Sequence, residues 1–312
     1  MTFYKLKTAF TLTAVSVCSY LAGSLYEKRK RINFENYDTV ENVENNSIFG
    51  RVLAATMIEN NADNKLVKVQ SRTSEIMKHG FPSLNDIKSY DDFVLSYDKR
   101  NRIAHWVFEH LTVDRLKIKD NVNRELCEFT EDTSIHPYFR STNEDYLRSG
   151  YDRGHLAAAG NHRLDQRHCD QTFLLSNIAP QVGVGFNRHS WNRLEKYVRK
   201  LTKKYPNVYV CTGPLFLPRK EGNKNYIKYE VLGKNLVAVP THFFKVVVME
   251  DNERKLHVEA YVMPNEPIPD DTPLTNFLKH PSVIEIHSGL LFFDRLAKNN
   301  LASVNRIKTS YV

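Results

Sequence analysis

The chain has 312 residues, a formal net charge of +8 and a hydrophobic fraction of 41%, with 17 Phe and 16 Tyr. This length allows a sizeable buried core in one large domain or two small ones, and the apolar content excludes a disordered chain. The basic balance favours an acidic partner, either nucleic acid or an anionic membrane surface. The four cysteines form no CxxC pair, which argues against a disulfide scaffold or a structural zinc site and predicts reduced thiols.

The N-terminal residues have the pattern of a targeting signal or an anchor. The first acidic residue is Glu27, and residues 8–26 form a run rich in Ala, Thr, Val and Leu that a basic cluster follows. Such a run just suffices to cross a bilayer, so a mitochondrial presequence or inner-membrane anchor, a signal anchor and a cleaved secretory signal all compete, with mitochondrial targeting preferred. We expect a targeting or membrane-anchor segment at 1–31, an acidic and polar linker at 32–70, and one folded domain at 71–312.

Apolar runs in the remaining chain predict one α+β domain. Six runs rich in β-branched and aromatic residues predict strands, at 93–97, 103–111, 208–212, 236–239, 243–249 and 256–262. The last two runs flank a turn at 251–253 and therefore predict a hairpin. A stripe with helical spacing predicts a helix, at Trp191, Leu194, Val198 and Leu201. A further helix is expected around 282–286, and the whole pattern predicts a central, mostly antiparallel sheet.

Residues 151–204 contain the side chains that phosphodiester hydrolysis requires. A neutral histidine such as His155 can take the proton of an attacking water near neutral pH. The charge that grows on the phosphate and on the leaving oxygen calls for a divalent cation and an arginine. Magnesium prefers oxygen ligands and keeps several waters, so an Asn and a Glu suit it.

The spacing of Asn187 and Glu195 separates their roles. Eight residues of helix span about 12 Å along the axis, which is too far for both side chains to touch one ion. We therefore expect Asn187 at the helix start as the direct metal ligand, and Glu195 as the holder of a metal-bound water. Arg199 lies one turn beyond Glu195 on the same face, where it can orient that carboxylate or contact substrate phosphate.

Each of these residues also has an ordinary structural interpretation. His155 can be a polar turn residue, Asn187 can cap the helix, and Glu195 with Arg199 can be a surface pair. A zinc site at His162, His168 and Cys169 fits no metal-finger spacing. The basic residues of the helix are either a solvated face or a phosphate-contacting stripe, namely Arg193, Lys196, Lys200, Lys203 and Lys204.

Two stretches resemble the ββα-metal family of DNA/RNA non-specific nucleases. They are DRGHLAAAGNHRLDQRHCDQTFLLSNIAPQ, which begins at Asp152, and FNRHSWNRLEKYVRKL, which begins at Phe186. Four further segments are similar to the mitochondrial branch of that family, the endonuclease G proteins: FVLSYDKRNRIAHWVFEHL, VYVCTGPLFLP, VAVPTHFFKVVV and SGLLFFDRL. The resemblance covers roughly residues 76–296, and the ordered set of motifs is highly specific.

The resemblance implies a magnesium-dependent endonuclease that cuts both DNA and RNA and leaves 5′-phosphate and 3′-hydroxyl ends, with Mn²⁺ able to substitute. It implies that His155 is the general base, that Asn187 binds the single Mg²⁺, and that Glu195 holds a water on that ion. The implied fold is a central sheet with a ββα-metal finger at the active site.

The resemblance also implies supporting residues and a biological setting. Arg153 would contact the scissile phosphate, Asn177 would orient metal-bound water or substrate, and Arg199 would support the site. The family usually forms homodimers, and its mitochondrial members lie in the intermembrane space and can degrade nuclear DNA during cell death. The N-terminal run departs from an Arg-rich presequence, which leaves the inner membrane, with attachment through residues 8–26, as the alternative location.

Two other functional classes remain as alternatives. A nucleic-acid-binding protein without turnover would be expected to lack His155, Asn187 or Glu195, and all three are present. A membrane-anchored protein whose basic helix binds lipid should expose Trp or Phe on that helix, whereas Trp191 falls on the predicted core stripe. The nuclease interpretation is therefore preferred.

Overall fold

The computed structural model describes residues 71–292 and 300–309, together with the backbone of two short strands, β1 at Ile58–Asn60 and β2 at Leu66–Lys68. These two strands pair antiparallel within the predicted linker. The predicted targeting segment, with the candidate membrane run at 8–26, lies outside the described residues. Across the part of the chain that is described, no helix has the length and apolar character needed to cross a bilayer.

The helices of the described chain are short and are separated by strands. The α-helices are α1 at Arg72–Ile76, α2 at Asn143–Tyr146, α3 at Gln166–Thr172, α4 at Asn192–Leu201 and α5 at Pro281–Ser288. A π-helical segment, Gly183–Trp191, is interrupted by non-helical backbone at Val184 and Gly185 and then runs directly into α4. Short 3-10 turns lie at Arg124–Leu126, Pro137–Phe139, Ala159–Asn161, Leu175–Asn177 and Leu274–Phe277.

Eight strands form one large sheet in the order β16-β15-β14-β13-β8-β5-β4-β3. Neighbouring strands of this sheet pair antiparallel, except β14 and β15, which pair parallel. Smaller two-stranded sheets are β6-β7, β9-β10 and β11-β12. The strands are β3 Ile87–Ser89, β4 Phe93–Asp98, β5 Ile103–Leu111, β6 Tyr151–His155, β7 Ile178–Val182, β8 Asn207–Leu215, β9 Arg219–Glu221, β10 Lys224–Tyr226, β11 Val231–Leu232, β12 Val237–Ala238, β13 His242–Glu250, β14 Leu256–Pro264, β15 Leu301–Val304 and β16 Ile307–Lys308.

The architecture confirms the predicted α+β class with a mostly antiparallel sheet. The predicted hairpin is β13 paired with β14 around residues 251–253. The predicted helix near 282–286 is α5, which ends at Gly289 with a φ of 70°, a left-handed conformation that glycine adopts without strain. The run at 236–239 gives only the two-residue strand β12, which pairs with β11 outside the large sheet.

Both faces of the large sheet are buried, because side chains alternate between two hydrophobic cores. On β13, Phe243 belongs to the first core and Phe244 to the second. The first core also contains Trp191 and Leu194 from the predicted helical stripe, and the second contains Ile284 of α5. Burial on both faces explains why the central strands are nearly continuous apolar runs in the sequence.

Candidate active site

The DRGH motif forms strand β6, which pairs antiparallel with β7 over the first core. Gly154 faces Ala179 in this ribbon, and a Cβ atom on it would lie 2.1 Å from the Gln181 side chain. Glycine is therefore required at this position by the close approach of a buried neighbour. The π-helical segment and α4 follow β7 in the chain, so the two strands and the helix form the ββα unit that the resemblance implies.

His155 ends β6 with its ring between two phenylalanines. The ring centroids of Phe129 and Phe173 lie 5.5 Å and 4.6 Å from that of His155. Burial of the ring, with a smaller effect from the charges of Arg124 and His162, lowers the pKa of His155 to about 3. Its Nε2 atom is buried and has no hydrogen-bond partner among the described residues. His155 is therefore a neutral imidazole at physiological pH, the form that accepts a proton.

Asn187 lies in the π-helical segment and is joined to the DRGH strand. Its Nδ2 donates a hydrogen bond of 2.9 Å to Oδ2 of Asp152. Arg188 binds the same carboxylate with two hydrogen bonds of 2.8 and 2.6 Å. Since the amide nitrogen points to Asp152, Oδ1 of Asn187 is held on the other side as a fixed acceptor. The Asn187 side chain does not cap the helix, because its amide donates to Asp152 and no described backbone N–H donates to it.

Glu195 and Arg199 both lie on α4, but they do not form the surface ion pair considered from the sequence. The guanidinium of Arg199 donates a 2.9 Å hydrogen bond to Asn161, and no hydrogen bond joins Glu195 to another described residue. Burial raises the pKa of the Glu195 carboxyl, and the charges of Lys245, Arg199 and Arg124 oppose that shift. Glu195 is thus a half-buried carboxyl group among cations.

The two remaining predicted residues differ in exposure. Arg153 is exposed, stacks on Phe129 with its guanidinium carbon 4.2 Å from the ring centroid, and donates to Asn143. Phe129 therefore contacts both Arg153 and His155. Asn177 is fully buried, and its amide accepts from the backbone N–H of Ala157 and donates to two backbone carbonyls. The structure places Asn177 behind β6, where it fixes the backbone that follows His155.

The roles of two residues at the site, Asp152 and Arg124, were not predicted from the sequence. Asp152 belongs to the motif, but its contact with Asn187 links positions 35 residues apart in the chain. Arg124 is exposed in a 3-10 turn, with its guanidinium carbon 5.9 Å from the Phe173 ring. Its charge lowers the pKa of both His155 and Glu195, so it lies within electrostatic range of both. The sequence around Arg124 has no motif that would have identified it.

The basic stripe and the histidine–cysteine group are placed as follows. Arg193 donates to the backbone carbonyls of Asp270 and Thr272, whereas the four lysines of the stripe are exposed. In the described part of the chain, no three His, Cys, Asp or Glu side chains form a metal-binding group. His162, from the zinc alternative, is instead held by two carboxylates. Cys127, Cys169 and Cys211 have free thiols.

A divalent cation fits the side chains on α4 and the segment before it. The fixed Oδ1 of Asn187 is a neutral oxygen of the kind that hard divalent ions bind. Glu195 supplies a carboxylate without a described hydrogen-bond donor, and the buried Nε2 of His155 is likewise unpartnered. Asn187 Oδ1, the Glu195 carboxylate and His155 Nε2 have no described hydrogen-bond donor or acceptor against them, as groups that hold a cation and its waters would require.

Comparison with known proteins identifies the family. The sequence model of the DNA/RNA non-specific endonucleases matches residues 72–299 of the chain. The chain belongs to the DNA/RNA non-specific endonuclease family. Within this family it lies in the endonuclease G branch, since it is 46% identical over 296 residues to the Caenorhabditis elegans protein "Endonuclease G, mitochondrial", covering 95% of each chain. The human protein of the same name is 55% identical over 219 residues, 70% of this chain and 73% of its own.

A solved structure from the endonuclease G branch has the same fold. A crystal structure of the EndoG/EndoGI complex, described as giving the mechanism of EndoG inhibition, has a TM-score of 0.76 and 60% sequence identity. The match covers 77% of this chain and 98% of that chain. The chain is therefore a nuclease with a non-specific nuclease fold, as predicted, and the alternatives of a binding protein without turnover and a lipid-binding protein are not supported.

Proposed function

We propose that this nuclease hydrolyses DNA and RNA with a divalent cation, Mg²⁺ or substituting Mn²⁺, and leaves 5′-phosphate and 3′-hydroxyl ends. The observation that carries the proposal is the position of the His155 ring, which contacts Phe129 and Phe173 and has a buried Nε2 atom without a described hydrogen-bond partner. His155 takes a proton from the attacking water, whose oxygen forms the new bond to phosphorus as the bond to the 3′ oxygen breaks. The leaving oxygen then acquires a proton from solvent.

The other residues bind and orient the reacting groups. Arg153 and Arg124 reach the site from β6 and from the 3-10 turn, and each presents a guanidinium to the scissile phosphate. Asn187 would hold the cation through Oδ1, with Glu195 interacting through water, and the bound cation would supply charge stabilisation for the phosphate and the leaving oxygen. Asn177 fixes the backbone after His155, and Arg199 lies beside Glu195.

We place this activity in the mitochondrion, on the basis of the relatives' names and the N-terminal pattern. The proposal extends to the intermembrane space or inner membrane, with attachment through residues 8–26, and to relocation to the nucleus for DNA degradation during cell death. We further propose that the active form is a homodimer. Sedimentation of the purified protein and fractionation of mitochondria test these two points separately.

A plasmid-nicking assay on the full chain tests the proposed activity. Nicking is expected with Mg²⁺ and should disappear with EDTA. RNA of mixed sequence should be degraded under the same conditions, because the proposed contacts involve phosphate and not the bases or the 2′ position. Cleavage that persists in EDTA, or a well-folded chain that cuts neither substrate, would contradict the proposal.

Asp152→Asn should weaken apparent metal affinity about 10- to 100-fold, the usual effect of losing a partner that orients a metal ligand. The Asp152 carboxylate accepts from both Asn187 and Arg188, and an amide cannot accept with both of its atoms. The measurement is the cleavage rate as a function of Mg²⁺ concentration. Asp251→Asn, in the turn between β13 and β14, is the matched control and should keep the wild-type dependence. An unchanged Mg²⁺ midpoint in Asp152→Asn would refute the role of this carboxylate.

The pH dependence of cleavage should differ from that of an ordinary histidine. The pKa of His155 is lowered to about 3, so the base stays neutral above that value and becomes protonated only as pH falls through it. At saturating metal, the rate is therefore expected to show no loss centred near pH 6.5, the ordinary histidine pKa. The rates of the wild type and of a His287→Ala control are measured between pH 5.5 and 8. A loss of rate centred near pH 6.5 that is present in both proteins would contradict this prediction.

Arg124→Ala should lower the salt dependence of DNA binding. Each phosphate contact to duplex DNA contributes about 0.9 to the slope of log K against log salt concentration. Loss of the Arg124 contact should reduce that slope by about this amount, with weaker binding to all sequences. Lys78→Ala is the control, because Lys78 pairs with Glu250 on the side of the second core. If the wild type and Arg124→Ala have the same slope of log K against log salt concentration, Arg124 does not contact a DNA phosphate.

A further inference from the structure

Three adjacent strands each place one polar side chain on the sheet face beneath the candidate site. They are Glu109 on β5, Thr212 on β8 and Lys245 on β13, and all three are buried. The ammonium of Lys245 donates to Thr212, and burial lowers its pKa while the charges of Glu109 and Glu195 oppose that shift. Charges in a hydrophobic core are strongly destabilising unless they are paired, so such a group calls for an explanation.

A buried histidine bridges Glu109 to a second carboxylate. The Nε2 atom of His162 lies 3.0 Å from Glu109 and its Nδ1 atom lies 2.9 Å from Asp92. Because carboxylates accept hydrogen bonds, both ring nitrogens must donate, which requires an imidazolium. Burial alone would lower the pKa of His162, but the hydrogen bonds and charges of the two carboxylates raise it to about 9. Asp92 is held in turn by Arg72 and Arg115.

The same network continues outward to the site. Nδ2 of Asn161 donates to Glu109 over 2.8 Å, and Oδ1 of Asn161 accepts from Arg199 over 2.9 Å. Because the Glu109 carboxylate can only accept, the Asn161 amide must turn its Nδ2 towards Glu109. Oδ1 of Asn161 therefore faces the Arg199 guanidinium. Gly160 also allows close approach, since a Cβ atom there would lie 3.2 Å from Arg199. A continuous chain of hydrogen bonds therefore runs from Asp92, next to the first residue of β4, to Arg199 beside Glu195.

We propose that His162, Glu109 and Asn161 are positioning residues for the nuclease reaction: the charged His162 ring fixes Glu109, which through Asn161 sets the place of the Arg199 guanidinium beside Glu195. This inference rests on the proposed function. Stability alone does not account for the chain, because well-packed apolar residues in place of buried ion pairs are often as stable or more so. Residues 156–162 also connect His155 directly to Asn161 and His162, so the same segment carries the proposed base and the network.

A double-mutant cycle between Asn161 and Arg199 tests the proposal. Asn161→Ala should lower kcat about 10-fold or more, as loss of an orienting partner commonly does, with KM changed less than about threefold. In the Arg199→Ala background, Asn161→Ala should have almost no further effect, because the residue through which it acts is gone. Asn161→Asp keeps an acceptor for Arg199 but cannot donate to Glu109, and it should be impaired like Asn161→Ala. Multiplicative effects in the double variant would overturn the proposal.

Two carboxylate-to-amide variants separate positioning from stability. Glu109→Gln removes a network carboxylate, whereas Glu259→Gln removes a buried carboxylate on the same core that accepts from Tyr197, Tyr261 and Arg306. Both variants should lower the melting temperature, but only Glu109→Gln should lower kcat. An equal loss of kcat in the two variants would show that the network acts only through stability.

The protonation of His162 gives a readout that does not depend on activity. Nitrogen-detected NMR of the wild-type chain should show both ring nitrogens of His162 protonated from pH 6 to pH 8, and Glu109→Gln should shift this titration downward. A wild-type His162 that titrates near its ordinary pKa would refute the network even in an active enzyme. An inactive wild type would overturn the proposed function and this inference together, whereas an active wild type with independent Asn161 and Arg199 effects would overturn this inference alone.

Discussion

His155→Ala is expected to lower the rate of plasmid cleavage about 10²- to 10⁴-fold, the usual contribution of a positioned general base. The ring lies between Phe129 and Phe173 and is neutral, so its loss removes the group that accepts the proton of the attacking water. Affinity for DNA should change little, because the proposed phosphate contacts come from Arg153 and Arg124. Single-turnover cleavage with Mg²⁺ and DNA binding in EDTA measure the two properties separately.

The control for this substitution is His287→Ala. His287 is an exposed histidine of α5, and the buried residue of that helix, Ile284, packs in the second core, on the sheet face away from the site. This variant should cleave at the wild-type rate. If His155→Ala cleaves within a few fold of the wild type, His155 is not the base. If it loses DNA binding as well, the residue acts through the substrate site or the fold.

Much of the fold could be read from the sequence, because its signals are local. The apolar runs of β5 and β14 and the spacing of Trp191 and Leu194 report burial at fixed periods, which the strands and α4 confirm. The C-terminal strands β15 and β16 were not predicted, since they are short and their half-buried or exposed residues show no such period. The central strands are also buried on both faces, so they lack the alternation of apolar and polar residues that would show which side chains face the site.

The candidate site was predictable only where a motif carries it. His155 and Asn187 stand in motifs, whereas the hydrogen bond from Asn187, in the segment after β7, to Asp152 of β6 joins residues 35 positions apart and forms only on folding. Glu109 and Lys245, which stand inside the predominantly apolar runs of β5 and β13, were a visible signal of buried polar groups. Asn161, the partner of Glu109, could not be assigned from the sequence, because no local pattern indicates which side chains meet on this face of the sheet.

Asn187→Ala is expected to reduce cleavage about 10³-fold or more, because loss of the cation would remove several kcal/mol of charge stabilisation. Asn187 is the proposed direct ligand, and its Oδ1 is oriented by the bond from Nδ2 to Asp152. Calorimetric titration with Mg²⁺ and Mn²⁺ should show the binding step lost in this variant. If the cleavage rate of Asn187→Ala recovers fully at high Mg²⁺, the substitution has weakened metal affinity but left the site intact. If Asn187→Ala binds Mg²⁺ in calorimetry as the wild type does, Asn187 is not a metal ligand.

Asn187→Asp separates the ligand oxygen from the orientation of the side chain. A carboxylate would ordinarily bind a divalent cation better than an amide does. Here the new carboxylate would stand at hydrogen-bond distance from Asp152, to which it can no longer donate, so the two negative groups should repel each other. We therefore expect metal binding to be retained and cleavage to stay low, whereas Asn192→Ala, on the first turn of α4, should leave both unchanged. Full activity in Asn187→Asp would show that the bond to Asp152 does not set the geometry of the site.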